Sequence, residues 1–113
     1  MIVHVIKKEK WEAAKKEGIY RNESLEKEGF IHCSLENQVC KVADSHYKGQ
    51  KDLLLLYIDE NKVKPEVVYE DLYNLNEDYP HIYGALNLDS VAKAVDFIPD
   101  QDGFFHLADQ EIL

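Results

Sequence analysis

Five histidines stand in this chain of 113 residues: His4, His32, His46, His81 and His106. Imidazole is the side chain whose charge changes near neutral pH, so each is a candidate acid, base or hydrogen-bonding group. His4 and His32 are each a polar residue in the middle of a short strand-like run. In residues 2–6, strand alternation puts Ile2, His4 and Ile6 on one side and Val3 and Val5 on the other. In the second run, Phe30, His32 and Ser34 share one face, and Ile31 and Cys33 share the opposite one. A histidine beside a hydroxyl at the start of a helix suits an anion or a ribose. Both side chains hydrogen-bond sugar oxygens, and a helix N-terminus favours phosphate. A plainer arrangement also fits, in which Ser34 caps the helix and His32 bonds a backbone carbonyl.

Among the carboxylates, Glu70 ends the run Val67-Val68-Tyr69-Glu70 and shares a face with Val68. A carboxylate at a strand end can reach into a cleft. Tyr79, His81 and Tyr83 cluster around Pro80, able to stack on a planar ring or to pack over a sheet edge. His46, on an apolar helix face beside Tyr47, and His106, in a Phe-rich segment, are expected as partly buried core residues. Cys33 faces away from His32 and is expected to pack inward. A zinc site would have to gather His4, His32 and His81 without local ligand spacing, so no metal site is expected.

These residues need elements to hold them. Residues 2–6 predict a strand and residues 7–17 a helix with Trp11 and Ala14 inward, stopped by Gly18. Ser24 reads as the cap of a short turn ending at Gly29, and residues 30–33 as a strand. Ser34 reads as the N-cap of a helix whose inner face carries Leu35, Val39, Val42, Ala43 and His46, closed by Lys48 and Gly49. The unbroken apolar run 53–58 fits a strand buried on both faces. Strands follow at 66–70, 79–84, 91–98 and 104–107, with turns at 59–61 and 102–103 and an acidic loop at 71–78. Helices in the first half and strands in the second make an α+β chain. Its length fits a single domain over 1–113.

Composition narrows the function. Residues 1–50 hold 9 bases and 8 acids; residues 51–113 hold 4 bases and 14 acids, so the net charge is +1 − 10 = −9. A long nucleic acid is not an expected partner, because its affinity comes largely from phosphate neutralisation. A small ligand held by the first half remains compatible. No apolar run is long enough to span a bilayer and no signal-peptide pattern opens the chain. A cytoplasmic protein with Cys33 and Cys40 as free thiols is expected. Neither a Gly-x-Gly-x-x-Gly nor a Walker loop is present.

Gly29-Phe30-Ile31-His32-Cys33-Ser34 with Gln38, and Tyr79-Pro80-His81-Ile82-Tyr83-Gly84, resemble the small bacterial proteins grouped as domain of unknown function nine-five-two. The resemblance extends over His4, Trp11, Gly18, Tyr20, Ser24-Leu25, the 53–58 strand with Asp59, Tyr69-Glu70 and the closing Phe-rich segment. It implies a fold similar to that of the ADP-ribosyltransferases, a bent, split and mostly antiparallel β-structure that grips NAD. Ile31-His32-Cys33-Ser34 is also similar to part of the His-x-His-Leu-Ser element of RNA 2′-phosphotransferases. His4 is followed by Val5-Ile6 where that superfamily has Gly with Thr or Ser.

By that resemblance His4, His32 and Ser34 would hold the ribose and phosphates, joined by His81. Glu70 would be the catalytic carboxylate with His32 beside it, and Tyr83 or Tyr69 would stack on nicotinamide. The expected ligand is NAD or an ADP-ribose-like nucleotide, with NAD as substrate and no tightly bound cofactor. The alternative is a small-ligand or protein-interaction module that keeps the fold without the chemistry.

Overall fold

The structure, a computed structural model, describes residues 1–107. Along the chain come strand β1 (Ile2–Lys7), helix α1 (Lys8–Glu17), β2 (Ile19–Tyr20), α2 (Glu23–Glu28), β3 (Ile31–His32) and α3 (Glu36–His46). Then follow β4 (Leu53–Ile58), β5 (Glu66–Glu70), β6 (Tyr79–Tyr83), β7 (Leu86–Asn87) and β8 (Val91–Asp96). The strands form three sheets, β1-β4-β8, β3-β6-β5 and the small pair β2-β7, and every pairing is antiparallel. This is the α+β arrangement expected, with its helices in the first half and its β-structure split.

β4 lies at the centre of the first sheet, which is why its sequence, LLLLYI, is apolar at every position. Leu56 and Ile58 join Ile2 and Ile6 in one core, together with Trp11, Ala14, Ile31 and Ile82. Leu53, Leu55 and Tyr57 join Val3 and Val5 in a second core, against Val39 and Ala43 of α3 and the stacked rings of Phe97 and Phe105. Burial of such side chains contributes ~1.5–3 kcal/mol each. Gly18 and Gly29 end α1 and α2 at φ of 81° and 88°, in the left-handed region where a side chain is strained.

Several local expectations need correction. Ser34 is not a cap: its N–H and C=O are committed to a bridge with Val3. Leu35 takes the N-cap position, and Gln38 reaches back so that the Leu35 N–H donates to its Oε1 at 2.9 Å. Asn22, not Ser24, caps α2, accepting from the Leu25 N–H, while the Ser24 hydroxyl donates to the Phe30 carbonyl at 2.7 Å. Residues 104–106 form no strand. Asp100 folds this segment back as a loop, accepting from the Phe104 N–H, and the Phe105 N–H is taken by Asp44. His46 and His106 are exposed, and His106 pairs with Asp100 at 2.7 Å.

The first and third sheets meet along one seam. Val3 donates to the Ser34 carbonyl at 2.8 Å and accepts from its N–H at 2.9 Å. Across the same seam His4, only 6% exposed, donates from Nδ1 to the His32 carbonyl at 2.5 Å. That bond fixes the tautomer, so Nε2 is the acceptor for the Tyr20 hydroxyl at 2.9 Å. Burial holds the His4 pKa at about 4. The folded chain therefore binds the proton less readily than the unfolded chain, and stability is full above pH ~6.5 and falls as the pH drops towards 4.

From this group alone the free energy of unfolding should drop by about 2 kcal/mol between pH 7 and pH 5, above the range where carboxylates titrate. Urea unfolding at the two pH values measures it. The variant His4→Phe should lose most of that pH dependence while being less stable at pH 7. An equal slope in both proteins would refute the assignment.

Candidate functional site

A cleft of about 680 Å³ opens beside the seam. β1 supplies Val3, His4 and Val5 to its floor, β3 and the turn after it supply His32, Cys33 and Ser34, and α3 supplies Val42 and His46. Glu70 and His81 come from β5 and β6, and Tyr73 and Leu75 from the loop between them. β1 is an edge strand, and its Val3 peptide turns outward to Ser34. Antiparallel alternation turns the peptide of Val5 the same way, towards the cleft.

Register brings the chemistry together. His32 pairs with His81 across β3 and β6, and Val68 pairs with His81 on the other side, so Glu70 lies two residues along from His81's neighbour. The ring of Phe30, buried behind them, stacks on His81 with centroids 4.2 Å apart and meets the His32 ring edge-on at 4.9 Å. The His32 and His81 rings are themselves 5.3 Å apart. His81 Nδ1 lies 2.8 Å from Glu70 Oε2, and the Tyr83 hydroxyl donates to the same oxygen. These two bonds, Tyr83's first, hold the Glu70 carboxyl below the usual carboxylate range, so it is ionised at neutral pH.

Two atoms are left over. Both bonds to Glu70 fall on Oε2, which leaves Oε1 for a ligand. Among the described residues no buried side-chain nitrogen or oxygen lacks a hydrogen-bond partner. His81 is 2% exposed and among the described residues its Nε2 has no hydrogen-bond partner, so that nitrogen borders the cleft it lines. With Nδ1 turned to the Glu70 carboxylate, the second ring nitrogen, Nε2, is the one left to meet a ligand.

A second carboxylate stands opposite. Glu28, at the end of α2, accepts from Tyr73 through Oε2 and lies 3.3 Å from His32 Nε2 through Oε1. Those bonds, Tyr73's first, lower its pKa, and Tyr73 in turn is pushed up to about 12. The Tyr73 and His32 rings lie 6.0 Å apart and nearly parallel. Around Tyr73 the loop is tied down: Asp71 accepts from the N–H groups of Leu75 and Asn76, Gln38 donates to the Asp78 carbonyl at 2.9 Å, and Lys41 pairs with Glu77.

Of the residues read from the sequence, His4, His32, Ser34, His81 and Glu70 all line this cleft. Tyr83 stands behind Glu70 and is not among the lining residues. Tyr69 points to the other face of its strand, where its hydroxyl donates to Glu60, so it cannot stack on a ligand here. Cys33 is buried, and burial raises its thiol pKa far above the usual value, which makes it a poor nucleophile. Among the described residues no three His, Cys, Asp or Glu side chains are grouped to hold a metal ion. Glu28 and Tyr73 were missed. Leu72, Tyr73 and Leu75 are apolar residues in an otherwise polar loop, the one signal that marks that loop as more than a solvated connection.

Among the described residues no helix is long and apolar enough to cross a membrane. No curated protein matches the chain. Among solved structures it is similar to the protein CC0527 from Caulobacter crescentus. The crystal structure of that protein is 27% identical, with a TM-score of 0.87 over 99% of this chain and 98% of the other. Its solution NMR structure gives 0.76 over 96% and 93%. Residues 5–94 match the family model described as "Protein of unknown function (DUF952)". That match takes in most of the cleft and both sheets that flank it, and the chain belongs to this family.

Proposed function

We propose that the cleft binds NAD or an ADP-ribose-like nucleotide and that the protein breaks the bond between nicotinamide and ribose. The observation that carries this reading is the meeting of His32, His81 and Glu70, with one oxygen of Glu70 and one nitrogen of His81 unused, beside the second carboxylate Glu28. The nicotinamide ring of NAD is a cation, and two ionised carboxylates flanking a cleft favour it. Tyr73 offers the aromatic face in place of Tyr69 and Tyr83. The split, antiparallel α+β arrangement is compatible with an ADP-ribosyltransferase-like fold.

The step follows from these groups. The C1′–N bond breaks with its electron pair leaving on the nicotinamide nitrogen, so nicotinamide departs neutral. Positive charge develops on C1′ and the ring oxygen, and Glu70 Oε1 stabilises it directly or through the ribose 2′-hydroxyl. Water adds to C1′ and its proton passes to His81 Nε2, with Glu70 Oε2 holding the imidazolium. The products are ADP-ribose, nicotinamide and one proton. His32 and Ser34 orient the ribose.

Amide NMR titration with NAD, ADP-ribose and nicotinamide separately should give shifts at His32, Ser34, Glu70 and His81. No shift at millimolar ligand would end the reading. Given binding, Glu70→Gln should slow nicotinamide release by about a hundredfold while leaving NAD affinity within a few-fold, because the carboxylate acts on charge formed in the transition state. Binding with no release in the unaltered protein would instead favour the module that keeps the fold without the chemistry.

A further inference from the structure

The cleft does not end at the seam. A second hollow of about 350 Å³ continues from it, and His4, Val5, Asn22, Ser24 and Tyr47 line both. Its far end is basic: Lys7 from the end of β1, Lys10 from the first turn of α1 and Arg21 from the segment between β2 and α2. Among the described residues none of the three is in an ion pair, and of the other lysines without one, Lys16, Lys51, Lys62 and Lys64 among them, none lines this hollow; Lys8, Lys15, Lys27 and Lys41 each hold a carboxylate. Glu23 is the carboxylate on this hollow, and it is paired with Lys27 at 3.8 Å. The other titratable groups there are His4, which its burial keeps neutral at pH 7, and the hydroxyls of Tyr20 and Tyr47.

We infer that Lys7, Lys10 and Arg21 form an anion subsite for the phosphates of the nucleotide, so that the ligand class is a phosphorylated nucleotide lying along both hollows; this rests on the nucleotide reading above. Two features carry it. Three cations that hold no carboxylate among the described residues line one groove in a chain of net charge −9, where acids outnumber bases 22 to 13. The groove is also polar end to end, with Glu28 and Glu70 at one end and the three bases at the other. A ligand with a cationic ring and an anionic pyrophosphate is drawn into it in one orientation. The ring goes to the carboxylates and the phosphates to the bases, with the ribose at His32 and Ser34 between them. Arg21 can hold a phosphate through two parallel N–H bonds, and the lysines add point charges.

The test uses the full chain and three probes: NAD, nicotinamide riboside, which lacks phosphate, and inorganic pyrophosphate. The variant combines Lys7→Ala, Lys10→Ala and Arg21→Ala. All three side chains are exposed, and a thermal melt shows whether the fold is intact. The variant should weaken NAD by at least about tenfold and leave nicotinamide riboside within about twofold. Raising the salt from about 50 to about 200 mM should weaken NAD but not the riboside. Pyrophosphate alone should shift the amides of residues 7–10 and 21–23. NAD bound equally by variant and unaltered protein would overturn the subsite and leave the nucleotide reading standing. Pyrophosphate bound at these residues, with neither NAD nor the riboside binding, would keep the subsite and remove the nucleotide reading. Pyrophosphate without effect on these amides would overturn the subsite.

Discussion

The molecule depends on a histidine used as a joint. Two sheets joined by the Val3–Ser34 bridge are held in register by the ring of His4, which takes the His32 carbonyl on one nitrogen and the Tyr20 hydroxyl on the other. A polar ring at 6% exposure is tolerable only when both nitrogens are satisfied, because an unpaired buried polar group costs about 1–3 kcal/mol. A leucine there would bury more comfortably but would leave the His32 carbonyl without its partner. The joint therefore sets where β3 lies against β1, and with it where the cleft opens. It also restricts what His4 can do. Its protonation is suppressed by burial and its Nδ1 proton is committed, so it shapes the floor of the cleft and leaves acid–base work to others.

Behind the cleft, Phe30 does for the rings what His4 does for the backbone. It packs against His32, His81 and Tyr83, fixing three polar side chains from one apolar contact surface. The two carboxylates are then distinguished by their bonding. Glu28 has both oxygens engaged, by His32 and Tyr73, which makes it a brace for the loop as well as a source of negative potential. Glu70 receives both of its bonds on one oxygen and keeps the other. Equal in charge, the two differ in what they have left to offer a ligand. That difference, more than position alone, makes Glu70 the candidate for chemistry.

What was legible in the sequence was periodic. The alternation at 2–6 put His4 with Ile2 and Ile6, and those two isoleucines share a core distinct from that of Val3 and Val5. The same logic separated His32 and Ser34 from Ile31 and Cys33, and the apolar run at 53–58 announced a central strand. Glu70 lies at the cleft because a strand end delimits where its side chain can go. What was not legible depended on partners distant in sequence. Ser34 looks like a helix cap until Val3 claims its peptide group. Residues 104–107 have strand composition, but among the described residues no strand pairs with them, and the side chains of Asp100 and Asp44 take the N–H groups of Phe104 and Phe105. β2 and β7, two residues each, carry too little pattern to register at all. Tyr73 sits in a loop whose closure depends on Glu28, 45 residues earlier.

The acidity of the chain argues against a long polyanion as a ligand. For a small one the relevant field is local, because charges beyond about 8 Å are screened at physiological ionic strength. Fourteen of the 22 acids lie after residue 50, whereas Lys7, Lys10 and Arg21 come from the first half. Surplus carboxylates elsewhere make three cations gathered on one groove, unpaired among the described residues, more informative than they would be in a basic protein. Solubility needs the net charge, but it does not need Lys7, Lys10 and Arg21 to face the same hollow. A groove with opposite charge at its two ends selects for ligands that carry opposite charge at theirs. It would turn away a ligand of one sign from one end or the other, which is a narrower demand than the net charge of the chain makes by itself.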